Sequence, residues 1–393
     1  MRVAVVGAGI VGLATAARLL ERAPGTQVTV IDKEPRIAAH QSSHNSGVMH
    51  AGLYYTPGSV KARLCIAGRE RLDAYAAARG IPVLRCGKTV VAASQDELGG
   101  LVELERRARR NGVPGLRRLD RQDLADVEPE VDGVAGLHSP GTAVVDFAAV
   151  CAALADDVRD AGGTILLGRS IHDVEDRGFA ATYTTDDGTK SVDAVVVCAG
   201  LHGDRIGPAP DDGERIVGFR GSWFLLDPRH DGRVRGCVYP VPDPRYPFLG
   251  VHLTPQQQRP TLIGPNAVLA PGREGYRGRR PDVRELFDLA RTPGVLRMAR
   301  QNLRAGVTEV FDASRARYAR KVARYLPGVT ADDLHPGPSG VRAQLVTRRG
   351  KLVDDFVIDG SNRVVRVLNA PSPAATACLA IADEVVDELL RRG

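Results

Sequence analysis

The sequence predicts an α/β protein in which a Rossmann-like nucleotide-binding unit is interleaved with a mixed-sheet α+β unit. Three observations carry this. The chain opens on a strand pattern, Arg2-Val3-Ala4-Val5-Val6, that runs straight into Gly7-Ala8-Gly9-Ile10-Val11-Gly12 and a helical pattern. A related segment closes the chain: the strand Val364 to Leu368, the loop Asn369-Ala370-Pro371 and a helix from about Pro373 to Arg391. Between them, residues 216–270 alternate strand-like pieces with proline-rich turns such as Pro240-Val241-Pro242-Asp243-Pro244. At 393 residues the chain has room for two or three domains.

Each element follows from its pattern. Val3 to Val6 is a continuous apolar run, as in a parallel strand covered on both faces. Leu13, Ala16, Ala17 and Leu20 recur at three and four, which makes the apolar stripe of a helix ending near Arg22. Val28 to Ile31 is a second buried strand, ending on Asp32. A helix is expected over 60–80, closed by Gly80 and Pro82, then a strand over 83–93. A charged helix over 96–112 closes at Asn111-Gly112, and another spans about 147–160. Thr164 to Leu167, Ala180 to Thr185 and Ser191 to Cys198 read as strands, and helix returns over 283–326. Ser372 as N-cap and Pro373 at the first helical position start the last helix. No repeat or low-complexity linker separates the halves, so the expected division is discontinuous. Residues 1–85, 145–215 and 335–393 form the nucleotide unit; 86–144 and 216–334 form the substrate unit.

Composition bounds the function. Apolar content of 43% and charged content of 25% are those of an ordinary soluble enzyme. The net charge of +6 is scattered among acids, as in Glu103-Leu104-Glu105-Arg106-Arg107, so no nucleic-acid partner is expected. Arg277, Arg279 and Arg280 form one basic cluster, suited to an anionic surface or to a polar loop. Six widely spaced cysteines without a Cys-x-x-Cys pair argue against a disulfide framework or zinc and fit a reducing compartment. With no clustered carboxylates or His-x-x-x-His, no metal is expected. No signal-peptide pattern precedes the first strand, and no apolar stretch approaches the roughly 20 residues that span a bilayer. The expected location is the cytoplasm, with peripheral membrane contact left open.

Gly7 permits the tight turn, Gly9 lets backbone approach a pyrophosphate, and Gly12 lets helix and strand pack closely. Ile10 and Val11 open the helix, whose N-terminus favours phosphate. Asp32 lies 20 residues after Gly12 and suits a ribose 2′-hydroxyl; an NADP site would favour arginine there. These features do not separate FAD from NAD. The next segment, from His40 to Gly52, is rich in small polar residues and histidine. It resembles the flavin-contacting loop of the D-amino-acid oxidase-like (glycine oxidase-like) flavoprotein superfamily.

Within that superfamily, His44-Asn45-Ser46-Gly47-Val48-Met49-His50-Ala51-Gly52-Leu53-Tyr54-Tyr55, followed by Pro57 to Cys65, resembles the L-2-hydroxyglutarate oxidase/dehydrogenase family. Further matches are Gly87-Lys88, Cys198-Ala199-Gly200-Leu201, Phe219-Arg220-Gly221, and Tyr239 to Pro244 with Pro247 to Pro255. Gly264 to Ala270, Arg273 to Tyr276, Gly340-Val341-Arg342-Ala343-Gln344 and Asn369 to Thr376 extend the likeness over nearly the whole chain. Two motifs depart from it. Ser222-Trp223-Phe224 stands where the family has Glu-Tyr-Tyr, and Thr142-Ala143-Val144-Val145-Asp146 replaces Thr-Gly-Ile-Val-Asp. The first removes an acid and two phenols on the expected substrate side.

The resemblance implies FAD, held by Gly7, Gly9, Ile10, Val11, Gly12, Asp32, Lys33, Ser43, Asn45, Ser46, Gly47, Ala199, Gly200, Pro371, Ser372 and Pro373. It implies oxidation of a 2-hydroxy acid to the 2-oxo acid by hydride transfer to flavin N5, with oxygen or a quinone as final acceptor. Oxidation of another alcohol in specialised metabolism, or of an amine or amino acid, is the alternative. Histidine suits the base that takes the hydroxyl proton, and His50, His44 and His252 are the candidates. Arg342 and Arg220 are the candidate carboxylate partners, because arginine offers a planar, bidentate donor. Tyr55, Tyr239 and Asn266 are candidate substrate contacts, with Lys61 a weaker one. The helix start at Pro371-Ser372-Pro373-Ala374 would turn its positive end toward the flavin. His138, His202 and His230 read as structural or exposed.

Overall fold

The computed structural model describes residues 1–207, 210, 213–244, 249–276, 282–301 and 314–392. Arg277, Arg279, Arg280 and the Pro247-Phe248 part of one matched motif lie outside these residues.

Among the described residues, the first sheet has six strands in the order Val357–Gly360, Val364–Asn369, Ala194–Val197, β1 (Arg2–Val6), β2 (Gln27–Asp32) and Thr164–Leu167. Its ladders are parallel except the one with the edge strand Val357–Gly360. Alternate β1 residues explain its unbroken apolar run. Val3 and Val5 face the helices α1 (Ile10–Arg22), Phe147–Asp160 and Ala374–Arg392, packing among Leu13, Leu154 and Val385. Ala4 and Val6 face a three-stranded antiparallel sheet and pack with Val174, Ala181 and Tyr183.

Among the described residues, the second sheet has nine strands. Its longest ladder pairs Arg215–Leu226 with Leu334–Val346, antiparallel from Arg215 opposite Val346 to Leu226 opposite Leu334. Lys88–Ala92 lies between Ala135–Ser139 and Cys237–Pro240, and His252–Gln256 pairs with both Cys237–Pro240 and Arg259–Gly264. Strands that each carry a matched motif thus become neighbours.

Four expectations change. The single strand over 83–93 is two, Val83–Leu84 and Lys88–Ala92, in different sheets, because Gly87 at φ 70° turns the chain between them. The helix over 283–326 is, among the described residues, three: Val283–Arg291, Pro293–Gln301 and Arg315–Val322. Thr292 is extended before Pro293, as the proline ring requires. The last helix begins at Ala374, with the Pro373 carbonyl accepting from the Ala377 N–H, so the start lies one residue later than expected. Finally, Leu334–Val346 belongs to the second sheet. We propose the same two interleaved units with the last crossing after Val346 rather than at residue 335. Among the described residues, no helix is long and apolar enough to cross a membrane.

Steric closeness at α1 gives a test. A Cβ on Gly12 would sit 2.0 Å from the Gly7 carbonyl oxygen, whereas one on Gly99 meets nothing within 4 Å. Urea unfolding of Gly12→Val should show a loss of about 2–4 kcal/mol. Gly99→Ala, in the helix Leu98–Arg110, should gain up to about 1 kcal/mol.

Candidate active site

An elongated cavity of about 580 Å³ runs from the turn after β1, past the His44–Gly47 loop, to the ladder of the second sheet and the start of the last helix. At the turn, Gly7 takes φ 107°, and a Cβ there would lie 2.4 Å from the Cys198 carbonyl oxygen. A Cβ on Gly9 would approach Ser42 Oγ at 3.3 Å, so its absence keeps backbone open to the cavity. Ser42 Oγ accepts from the Ile10 N–H at 2.9 Å, at the head of α1. Asp32 accepts from the N–H groups of Ala8 (2.6 Å) and Glu34 (2.9 Å), which fixes its carboxylate at the cavity wall.

The polar loop is shaped by its own side chains. Asn45 donates to the carbonyls of Gln41 (3.0 Å) and Ser42 (2.9 Å) and accepts from the Gly47 N–H (2.9 Å). His44 Nδ1 donates to the His40 carbonyl at 2.9 Å, and its ring meets Tyr276 with centroids 4.2 Å apart. Thr376 Oγ1, in the first turn of the last helix, accepts from the His50 N–H at 3.1 Å. This ties the end of the loop to that helix. An extended dinucleotide cofactor such as FAD fits this lining: a glycine turn at a helix head, a fixed acid and a second helix start along one cleft.

The far end of the cavity holds His50, Trp223, Tyr239, His252, Asn266 and Arg342. His252 Nδ1 donates to the Gly250 carbonyl at 2.8 Å, leaving Nε2 as a lone-pair nitrogen. Its ring stacks on Tyr239 with centroids 3.8 Å apart and planes 14° apart. Burial pushes the His252 pKa down to about 3, the Gly250 bond opposing and Lys88 and Arg342 adding to it. Enclosure likewise holds His50 well below its ordinary range, helped by the charges of Lys88 and Arg342. Both imidazoles are therefore neutral. Asn266 accepts from the Ser222 N–H at 2.8 Å, and Trp223 Nε1 is buried without a hydrogen-bond partner.

At the cofactor end, Lys33 Nζ and His202 Nε2 each lie 2.7 Å from Glu274, with His40 at 3.5 Å. Partial burial opposes ionisation, yet hydrogen bonds from His202 and Lys33 bring the Glu274 pKa down to about 2. Glu34, His40 and Glu274 have the grouping of a cation site, but the Lys33 ammonium already bonds both carboxylates.

Most of the expected residues meet in this one cavity: Gly7, Gly9, Ile10, Val11, Asp32, Lys33, Asn45, Ser46, Gly47, Ala199, Gly200, Ser372 and Pro373, with His44, His50, His252, Arg342, Tyr239 and Asn266. Gly12 supports the turn from behind. Like Gly12, four more do not line it. Ser43 is exposed and donates to the Ala38 carbonyl; Ser42 faces the cavity in its place. Pro371 is buried beside the helix start. Arg220 follows Phe219 in the strand, so the pleat turns it to the opposite face. Tyr55 packs under Lys61, whose Nζ lies 5.2 Å from the ring and donates to Asp354. Sequence reasoning missed Ser42, Trp223, His202 and Glu274. The Ser222-Trp223-Phe224 departure is the available signal for Trp223, whereas His202 reads in the sequence as structural or exposed.

Comparisons with known proteins identify the family and the fold. Residues 2–388 match the family model described as FAD dependent oxidoreductase. The L-2-hydroxyglutarate dehydrogenase of human mitochondria is 40% identical over 99% of this chain and 89% of its own length. That of Salmonella houtenae is 37% identical over 98% of this chain and 92% of its own. Among solved structures, dithionite-reduced L-α-glycerophosphate oxidase from Mycoplasma pneumoniae with FAD bound superposes with TM-score 0.78 at 22% identity, covering 99% of this chain and 94% of that one. Glycine oxidase from Geobacillus kaustophilus gives 0.73 at 19% identity, over 100% and 95%. The chain belongs to the FAD dependent oxidoreductase family, alongside the L-2-hydroxyglutarate dehydrogenases, and its cofactor is FAD.

Proposed function

We propose that this oxidoreductase converts a 2-hydroxy acid of the L-2-hydroxyglutarate kind into the 2-oxo acid. The observation that carries the reading is one cavity wall that combines Arg342 with two unprotonated histidines, His50 and His252. The names of the relatives support the same substrate class.

Bound FAD supplies the two-electron acceptor. Arg342 binds the carboxylate next to the reacting carbon, because a guanidinium matches a carboxylate in charge and geometry. His50, neutral and anchored through its backbone to Thr376, takes the hydroxyl proton. His252, with its tautomer fixed and its ring stacked on Tyr239, is the second neutral imidazole of this wall and packs against the substrate. Tyr239 and Asn266 shape the walls, and the buried Trp223 Nε1 offers a donor to the substrate. Electrons then leave to oxygen or to a membrane quinone, with the enzyme in the cytoplasm and in peripheral contact with the bilayer.

Anaerobic L-2-hydroxyglutarate should bleach the visible flavin band and yield 2-oxoglutarate; a band that stays oxidised would overturn the substrate assignment. His50→Gln should slow this reduction by about 10²- to 10⁴-fold. Arg342→Met should lower kcat/KM by about 10²-fold or more, and Arg220→Met much less. Peroxide release under air would mark oxygen as acceptor, and co-sedimentation with membranes would mark the quinone route.

The depressed histidines also set a stability profile. The unfolded chain protonates His252 near pH ~6.5, whereas the folded protein does so only near about 3. Between those values the unfolded state holds more protons, so stability falls as pH drops from about 6.5 towards 3. His252→Gln should flatten that fall when Tm is followed against pH.

A further inference from the structure

Lys88 is 1% exposed, and no hydrogen-bond partner meets its Nζ. The ammonium lies 4.0 Å from the centroid of the Tyr239 ring and 5.0 Å from that of Tyr54. His252 stacks on Tyr239 at 3.8 Å. Two groups that close to one ring centre must occupy opposite faces, so ammonium, phenol and imidazole form a single column. Only the last two line the cavity. Charge is expensive to bury without a carboxylate. Here the charge stands directly behind the wall that faces the substrate.

We propose that Lys88 is a positioning residue: acting through Tyr239, its charge holds the His252 ring in place and draws an anionic substrate into the cavity. This rests on the reading that the substrate is a carboxylate. A cation on the face of a phenol ring is attracted to it, and enclosure strengthens that attraction. The same charge repels a proton from His252 and His50, favouring their neutral forms.

The column predicts a pH effect. Burial pulls the Lys88 pKa down to about 8. Above that pH the charge is lost, and so is its hold on an anion. The groups facing it are shifted in both directions. Burial raises Tyr54, Tyr239 and Cys65, the last to about 12, and lowers His50, His252 and Arg342. Cys237, bonded to Cys86 with the sulfurs 3.9 Å apart, is raised, as is the buried carboxyl of Glu128. Cys86 starts nearest that range, and the same hydrogen bond lowers it.

The test uses the FAD-loaded enzyme and glutarate, a dicarboxylate with no hydroxyl to oxidise, with Kd read from the flavin difference spectrum between pH 6 and 10. In the unmodified enzyme Kd should weaken about tenfold as pH rises through about 8. Lys88→Arg should remove that weakening, because guanidinium stays charged. Lys88→Met should bind about tenfold more weakly at neutral pH, with no inflection near 8. Cys86→Ser should keep the inflection. Retained FAD and an unchanged Tm separate these effects from misfolding, and Lys88→Arg carries the test if Lys88→Met fails to fold. An inflection that persists in Lys88→Arg, or that vanishes in Cys86→Ser, overturns the proposal. Because glutarate binding needs no turnover, this outcome is independent of whether L-2-hydroxyglutarate reduces the flavin.

Discussion

The ladder between Arg215–Leu226 and Leu334–Val346 is the constraint on which the rest of the molecule depends. It is the spine of the second sheet, and its end is fastened to the first. The Leu345 N–H donates at 3.1 Å to Asn369, the last residue of a strand in the first sheet, and Asn369 in turn donates to the carbonyls of Val353 and Asp355. The two sheets are therefore joined at Asn369, and residues of both line the cavity. Register then decides chemistry. Phe219 opposite Arg342 turns both toward the cavity; a slip of one residue would send Arg342 to the far face. Gly340 allows the approach, since a Cβ there would lie 2.3 Å from the His44 carbonyl oxygen.

Electrostatics divides the cavity into two ends. At the cofactor end, the carboxylates are met by partners: Lys33 and the His40 and His202 rings gather on Glu274, and Arg205 joins Glu285 and Asp288. Just behind, Arg273 is buried between Asp204 and Glu285, which anchors the segment that carries Glu274. At the reacting end cations prevail. Arg342 lines the wall and Lys88 stands behind it, so protonating either histidine is opposed twice, by burial and by like charge. An excess of positive charge at neutral pH in a buried site suits an anionic substrate and leaves the imidazoles free to accept protons.

The family likeness and the departures from it fit together on this plan. The residues around the glycine turn, the His44–Gly47 loop and the last helix start keep the matched pattern and line the cofactor stretch. The altered triplet Ser222-Trp223-Phe224 lies on the ladder, at the substrate end. There an indole with a buried, unpartnered N–H stands where the related pattern has a phenol, which changes hydrogen bonding at the wall while leaving the cofactor bed intact.

The sequence by itself determined whatever depends on neighbours along the chain. The glycine turn, the acid at the end of β2 and the self-bonded His-Asn loop are local, and each was legible because the physical demand and the residues meeting it lie within about 20 positions. The alternation of strands and helices was legible for the same reason. Tertiary structure decided what depends on parity and on distant partners. Arg342 was separated from Arg220, and Ser42 from Ser43, by which side of the backbone each takes, a choice made by strand register and turn closure. The break at Gly87 and the membership of Leu334–Val346 were set by pairing across the sheet. Lys88 reads in the sequence as an ordinary strand residue. Only the packing of Cys237–Pro240 and His252–Gln256 beside it makes it a buried charge behind the reacting wall, because burial is a property of what the chain brings together and not of the residue itself.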